Sequence, residues 1–126
     1  MHRKKISIHF QTENLLAMKY KIVLVPFPFD NFSDLKVRPA ICLTDKIDKY
    51  NHVVIAFITS QISKTTGKTD IRITNIKNTG LKTNSTIKLH RIVTIPTNLI
   101  KRELGKLPDS YHKIMTDKLK ILFEID

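Results

Sequence analysis

The sequence predicts a mainly β protein: a small, strongly curved barrel of five or six short strands, with a short helix and a closing C-terminal α-helix. Three observations carry this. Short apolar, β-branched runs recur as far as Ile95, separated by prolines and turn formers such as Asn78-Thr79-Gly80. Helical spacing of apolar residues is confined to the last stretch, after Asp109. A chain of 126 residues, 41% of them hydrophobic, supports one core and hardly two.

The elements follow in order. Residues 1–18 show no clear period and read as an N-terminal arm, with residues 19–126 as a single domain. The arm fits an ordered extension, a frayed tail, or a stretch ahead of an alternative start at Met18. It makes a poor signal peptide, because His9, Gln11, Thr12, Glu13 and Asn14 interrupt its apolar residues. Residues 20–27 read as the first strand. Pro26 and Pro28 cannot donate to a ladder, so the chain leaves the sheet there, anchored by Phe27 and Phe29, and residues 30–37 form a flap. Residues 38–44 read as the second strand, led by Arg38-Pro39, where a missing N–H costs little. "HVVIAFITS" at 52–60 is the most apolar and β-branched run and reads as the central strand.

"DIRIT" at 70–74 alternates cleanly. In "STIKLHRIVTI" at 85–95 the odd positions Ile87, Leu89, Val93 and Ile95 point one way, and Thr86, Lys88 and His90 the other. Asn84 and Ser85 read as turn residues. Pro96-Thr97 opens a short helical turn with Gly105 as its stop. From Asp109 or Ser110, the spacing of Tyr111, Ile114, Met115, Leu119 and Leu122 predicts an amphipathic helix packed on the sheet.

The net charge is +11, with a sequence pI of about 9.9. Lysines gathered on one surface gain by releasing counterions from a polyanion, so the excess favours phosphates or an acidic partner; solvated surface charge accounts for much of it as well. No apolar run is long enough to span a membrane. The lone Cys42, inside "PAICLT", reads as core filler rather than nucleophile and agrees with a cytoplasmic protein. No histidines or carboxylates have metal-ligand spacing, so no metal or other cofactor is expected.

"IVLVPFPFDNFSDLKVRPAICLTD", "VVIAFITSQISK" and "TGLKTNSTIKLHRIVTIPTNLIKRELGKL" together resemble the PemK/MazF family of bacterial toxins, over residues 19–125. The ordered set VPFPF, RPA, ITSQ and TGLK is specific as a set. The resemblance implies an SH3-like barrel, a homodimer, and a cytoplasmic, metal-independent endoribonuclease that cuts single-stranded RNA at short sequences. It also implies an acidic antitoxin whose disordered tail occupies the RNA groove, with DNA contacted only through that antitoxin. The family's arginine of the Arg-Pro pair corresponds to Arg38, and its Ile-Thr-x-Gln threonine to Thr59, followed by Ser60 and Gln61. Where relatives often carry a basic residue, a spacer and an acid, this chain has Lys88-Leu89-His90, which leaves the proton donor open. Many relatives have Gly-Asp before the first strand; here Tyr20-Lys21 stands there.

The chemistry asks for the same residue types. RNA is cut without a metal when its own 2′-OH attacks the adjacent phosphorus, giving a 2′,3′-cyclic phosphate and a 5′-OH. That reaction needs a proton acceptor for the 2′-OH, a cation for the non-bridging oxygens and a donor for the leaving oxygen. Arg38 suits the second role, because guanidinium stays charged and forks onto two phosphate oxygens. Thr59 suits a hydrogen bond to the scissile phosphate with Ser60 assisting, and His90, with an ordinary pKa of ~6.5, suits acid or base work. Phe29 or Phe32 suits stacking on an unpaired base, and Asp30, Ser33, Lys36, Gln61, Lys64, Lys68 and Lys88 suit RNA contacts.

Plainer roles fit the same residues. Arg38 also reads as a surface arginine paired with Asp34 or Asp45, Thr59-Ser60 as a turn, and His90 as a solvated residue. His2, His9, His52 and His112 read as structural or exposed. Two other functions stay open: a protein-binding toxin on the same fold, as in the related CcdB gyrase poison, and a relative that has lost its proton donor.

Overall fold

The computed structural model describes residues 17–26, 36–47, 49 and 51–126. Six antiparallel strands form one curled sheet: β1 (Lys21–Pro26), β2 (Val37–Cys42), β3 (His52–Thr59), β4 (Asp70–Ile73), β5 (Ser85–Pro96) and β6 (Arg102–Lys106). Their order is β4-β5-β3-β2-β1-β6, which puts β3 inside the sheet, as its unbroken apolar run predicts. A 3₁₀ turn at Thr97–Leu99 follows β5, another at Asp109–Tyr111 precedes the helix, and α1 spans His112–Leu122.

Alternation along the strands sends side chains to two clusters. Ile22, Ile41, Ala56, Ile58, Ile87 and Leu89 meet Met115 of α1 on one face. Val23, Val25, Ala40, Cys42, Val53 and Ile55 make a second cluster on the other. Burial pushes the Cys42 thiol up to about 12, as expected of core filler and not of a nucleophile.

The two edge strands are drawn together by glycines. Lys106 N–H donates to Asn78 O at 2.9 Å, so the segment after β4 lies along β6. A Cβ at Gly105 would sit 2.2 Å from Asn78 O, and one at Gly80, whose φ is +77°, would sit 2.4 Å from Leu104 O. Gly105 is therefore no helix stop: it lies within β6, where the edges approach too closely for any side chain.

Other expectations are also corrected. Ile114 is 40% exposed; the buried stripe of α1 runs through Met115, with Tyr111, Leu119 and Leu122 packed beside it. Ser85 is the buried first residue of β5, its Oγ donating to Thr83 O at 3.0 Å. Thr86, expected to face outward, is buried too. The odd positions of β5 do not share one face: Ile87 and Leu89 join the first cluster, Val93 and Ile95 the second. The cause is a bulge. Ile58 pairs with Ile87 and Ala56 with Ile92, so Phe57 alone faces the whole stretch from Lys88 to Arg91.

Candidate functional site

The site begins where β2 and β3 part. Their ladder runs Cys42↔Ile55, Ile41↔Ala56, Ala40↔Phe57, and stops. Continued by two steps, that register would set Arg38 opposite Thr59. Leu43 N–H donates to Val54 O at 2.8 Å, so the odd-numbered residues of β2 turn their N–H toward β3. The next odd residue without a β3 partner is Pro39, which has no N–H to give. The proline ends the ladder, leaving Arg38 on one strand and Thr59 on the other beyond its last pair.

Arg38, Ile58 and Thr59 line both cavities that open from this gap. The smaller, of about 210 Å³, lies toward β5, with Gln61, Lys88 and Arg91 on its walls. The larger, of about 500 Å³, lies toward β6 and includes Ser60. Thr59 Oγ1 accepts the N–H of Gln61 at 3.2 Å, a local turn that fixes the side chain and leaves its own proton to be donated. Both the turn and the placement in the gap thus belong to Thr59. Asp45, weighed from the sequence as a partner for Arg38, receives through Oδ1 the N–H groups of Met18 at 3.0 Å and Lys19 at 2.9 Å.

Lys88 is committed elsewhere. It pairs with Asp70, its cross-strand neighbour, at 2.8 Å between Nζ and Oδ2. The same carboxylate oxygen accepts Gly67 N–H at 2.9 Å, and Lys118 Nζ donates to the Asp70 carbonyl at 2.6 Å. Burial raises the Asp70 carboxyl, but the Lys88 and Gly67 hydrogen bonds and the nearby cationic charge outweigh it and hold the group below its ordinary range. Lys88 therefore lines the cavity with its charge largely answered.

Arg91 was not singled out in the sequence. The signal was there: strict alternation would put an apolar residue between Leu89 and Val93, and an arginine at that place marks the bulge that turns it into the cavity. His90, next to it, is exposed and lines neither cavity. Lys36, Lys64 and Lys68 are exposed and line neither cavity as well. Phe27, Phe29, Asp30, Phe32, Ser33 and Asp34 lie outside the described residues, with most of the expected flap and with His2 and His9. His112 is structural: it stacks on Tyr20 with ring centroids 3.5 Å apart, and its Nε2 lies 3.1 Å from Leu107 O. Among the described residues, no group of three or more His, Cys, Asp or Glu side chains could hold a metal ion.

The sequence profile of the PemK-like, MazF-like toxins of type II toxin–antitoxin systems matches residues 18–123. The chain belongs to this family. Solved MazF-type structures share its fold. The Mycobacterium tuberculosis toxin MazF-mt6 is 22% identical, with a TM-score of 0.67 over 84% of this chain and 98% of that one. An endoribonuclease in complex with its cognate antitoxin, from a mycobacterial species, is 10% identical, with a TM-score of 0.69 over 87% and 97%. MazF from Deinococcus radiodurans is 16% identical, with a TM-score of 0.64 over 86% and 97%. No curated protein sequence matches the chain. Among the described residues, no helix of this PemK/MazF-type toxin is long and apolar enough to cross a membrane.

Proposed function

We propose that the chain is an endoribonuclease toxin that cuts single-stranded RNA at short sequences, with the 2′-OH of the substrate as nucleophile. What supports this best is the opposition of Arg38 and Thr59 across the unzipped end of β2 and β3, in a chain of the PemK/MazF family. The O2′–P bond forms as the P–O5′ bond breaks. The 2′-OH proton leaves to a base and a proton reaches the departing O5′, giving a 2′,3′-cyclic phosphate and a 5′-OH. Arg38 holds the charge that grows on the non-bridging oxygens. Thr59 and Ser60 donate hydrogen bonds to the phosphate. His90, on the bulge between the lining residues Lys88 and Arg91, is assigned one of the two proton transfers.

A solved neighbour in the same fold is an endoribonuclease bound to its cognate antitoxin. On that ground, and on the net charge of +11, the partner of this chain is an acidic antitoxin that covers the same cations, with an affinity that falls as salt rises. A homodimer, as the family resemblance implies, is part of the same proposal, and sedimentation velocity tests it.

The deciding experiment incubates the protein with mixed single-stranded RNA in the presence of EDTA. Cleavage with 5′-OH ends, lost in Arg38→Ala and Thr59→Ala, is the expected result. Intact RNA with the wild-type protein would overturn the proposal.

A further inference from the structure

The two cavities that meet at Arg38 and Thr59 differ in kind. The smaller is walled by polar and cationic groups, among them Gln61, Lys88 and Arg91. The larger has Leu24, Ile58, Leu81 and Leu104 beneath, with Lys82 and Arg102 among its lining residues. Its side wall is built rather than incidental: Gly80 and Gly105 let the segment before β5 lie flush on β6, closer than any side chain would allow. No carboxylate lines this cavity, and neither Lys82 nor Arg102 has an ion-pair partner among the described residues. Cations around an apolar floor suit a ligand with a flat apolar body and an anionic edge.

We infer that the larger cavity is a nucleotide subsite for the RNA residue beside the cut. Its base packs on Leu24, Leu81 and Leu104. One flanking phosphate lies at Arg38 and Thr59, and the next is held by Lys82 with Arg102. An unstacked base is gripped by apolar contact on its faces while its backbone follows the cations, and this cavity offers both beside the reacting phosphate. The smaller cavity, lacking an apolar floor of that extent, holds backbone rather than base. Base preference next to the cut is therefore set on the β6 side. The inference rests on the ribonuclease reading and adds to it a substrate contact made by residues outside the Arg-Pro and Ile-Thr segments.

Two variants test it. The Lys82→Ala/Arg102→Ala double removes the outer phosphate contact, and Thr83→Trp fills the mouth from an exposed loop position without touching the core. Binding of a labelled single-stranded oligonucleotide is measured by fluorescence anisotropy across a salt series, and cleavage sites on randomised RNA are read by sequencing the product ends. For the double variant, affinity falls roughly ten- to a hundredfold, and the slope of log affinity against log salt shrinks by about 0.7, the value for one lost phosphate contact on a single strand. Thr83→Trp flattens the base preference on one side of the cut. Unchanged affinity, salt slope and base distribution in both variants would overturn the subsite. If the wild type binds but never cleaves, the ribonuclease reading falls on its own, and the anisotropy series still decides whether the cavity holds a nucleotide.

Discussion

Lys88 and Arg91 stand three residues apart on β5, yet the fold treats their charges differently. Lys88 lies where β4 and β5 are fully zipped, and the buried Asp70 across the ladder answers it at 2.8 Å. Arg91 lies on the bulge, has no ion-pair partner among the described residues, and turns into a cavity that Arg38 reaches from the unzipped end of β2. Paired ladders here consume cations as cross-links. On the bulge, Arg91 lines the cavity instead.

The largest expected effect breaks the open side. Arg38→Ala should lower kcat on RNA by roughly 10²–10³, about 2.7–4 kcal/mol of transition-state stabilisation, with little change in melting temperature. Single-turnover cleavage beside a thermal melt checks it; a variant that melts early would show that Arg38 serves the fold instead.

Next comes the closure that the cavities depend on. Gly105→Ala forces a Cβ to within 2.2 Å of Asn78 O, a backbone atom that cannot step aside. A loss of about 3 kcal/mol is expected by chemical denaturation.

The closed side is probed by Asp70→Asn, which leaves Lys88 without its counter-charge and should cost about 1.5–3 kcal/mol. The pH dependence follows from the direction of the shift. The folded carboxyl is held below its unfolded value, so the stabilisation is complete above about pH 4 and is lost as pH falls through the lower folded value. Wild-type stability should fall on that acid limb by more than that of Asp70→Asn; parallel acid unfolding curves would contradict the pairing.

The smallest effect is the most diagnostic of the comparison. Pro39→Ala restores an N–H toward β3, and the gained hydrogen bond and the looser unfolded chain are opposing terms of similar size, so net stability should move by no more than about 1 kcal/mol. Zipping the ladder draws Arg38 toward Thr59, so KM for RNA should rise severalfold while the new amide becomes protected from hydrogen exchange. A rapidly exchanging amide at that position would mean that something other than the proline holds the strands apart.

Much of this was legible in the chain itself. Apolar, β-branched runs broken by prolines and turns marked β1 to β5, the helical spacing after Asp109 marked α1, and Arg38 and Thr59 stood out in their short motifs. What escaped was non-local. β6 is a five-residue strand without an apolar period, recognisable only by the backbone it lies against. Ile114 fitted the helical spacing, but the sheet receives only the narrower stripe through Met115. Arg91 broke the alternation of β5 in plain view, yet a broken period does not say into which space the residue turns.

The sequence by itself marked five of the six strands and put forward Arg38 and Thr59 as candidates for the chemistry, because apolar runs, proline's missing donor and a guanidinium's charge are local properties. Tertiary structure alone decided that Pro39 would open the ladder between Arg38 and Thr59, that Asp70 would claim Lys88 and leave Arg91 to the cavity, and that two glycines would seal the wall beside β6. Those outcomes depend on register and close approach between distant segments, and no single stretch of chain encodes the distance to its neighbour.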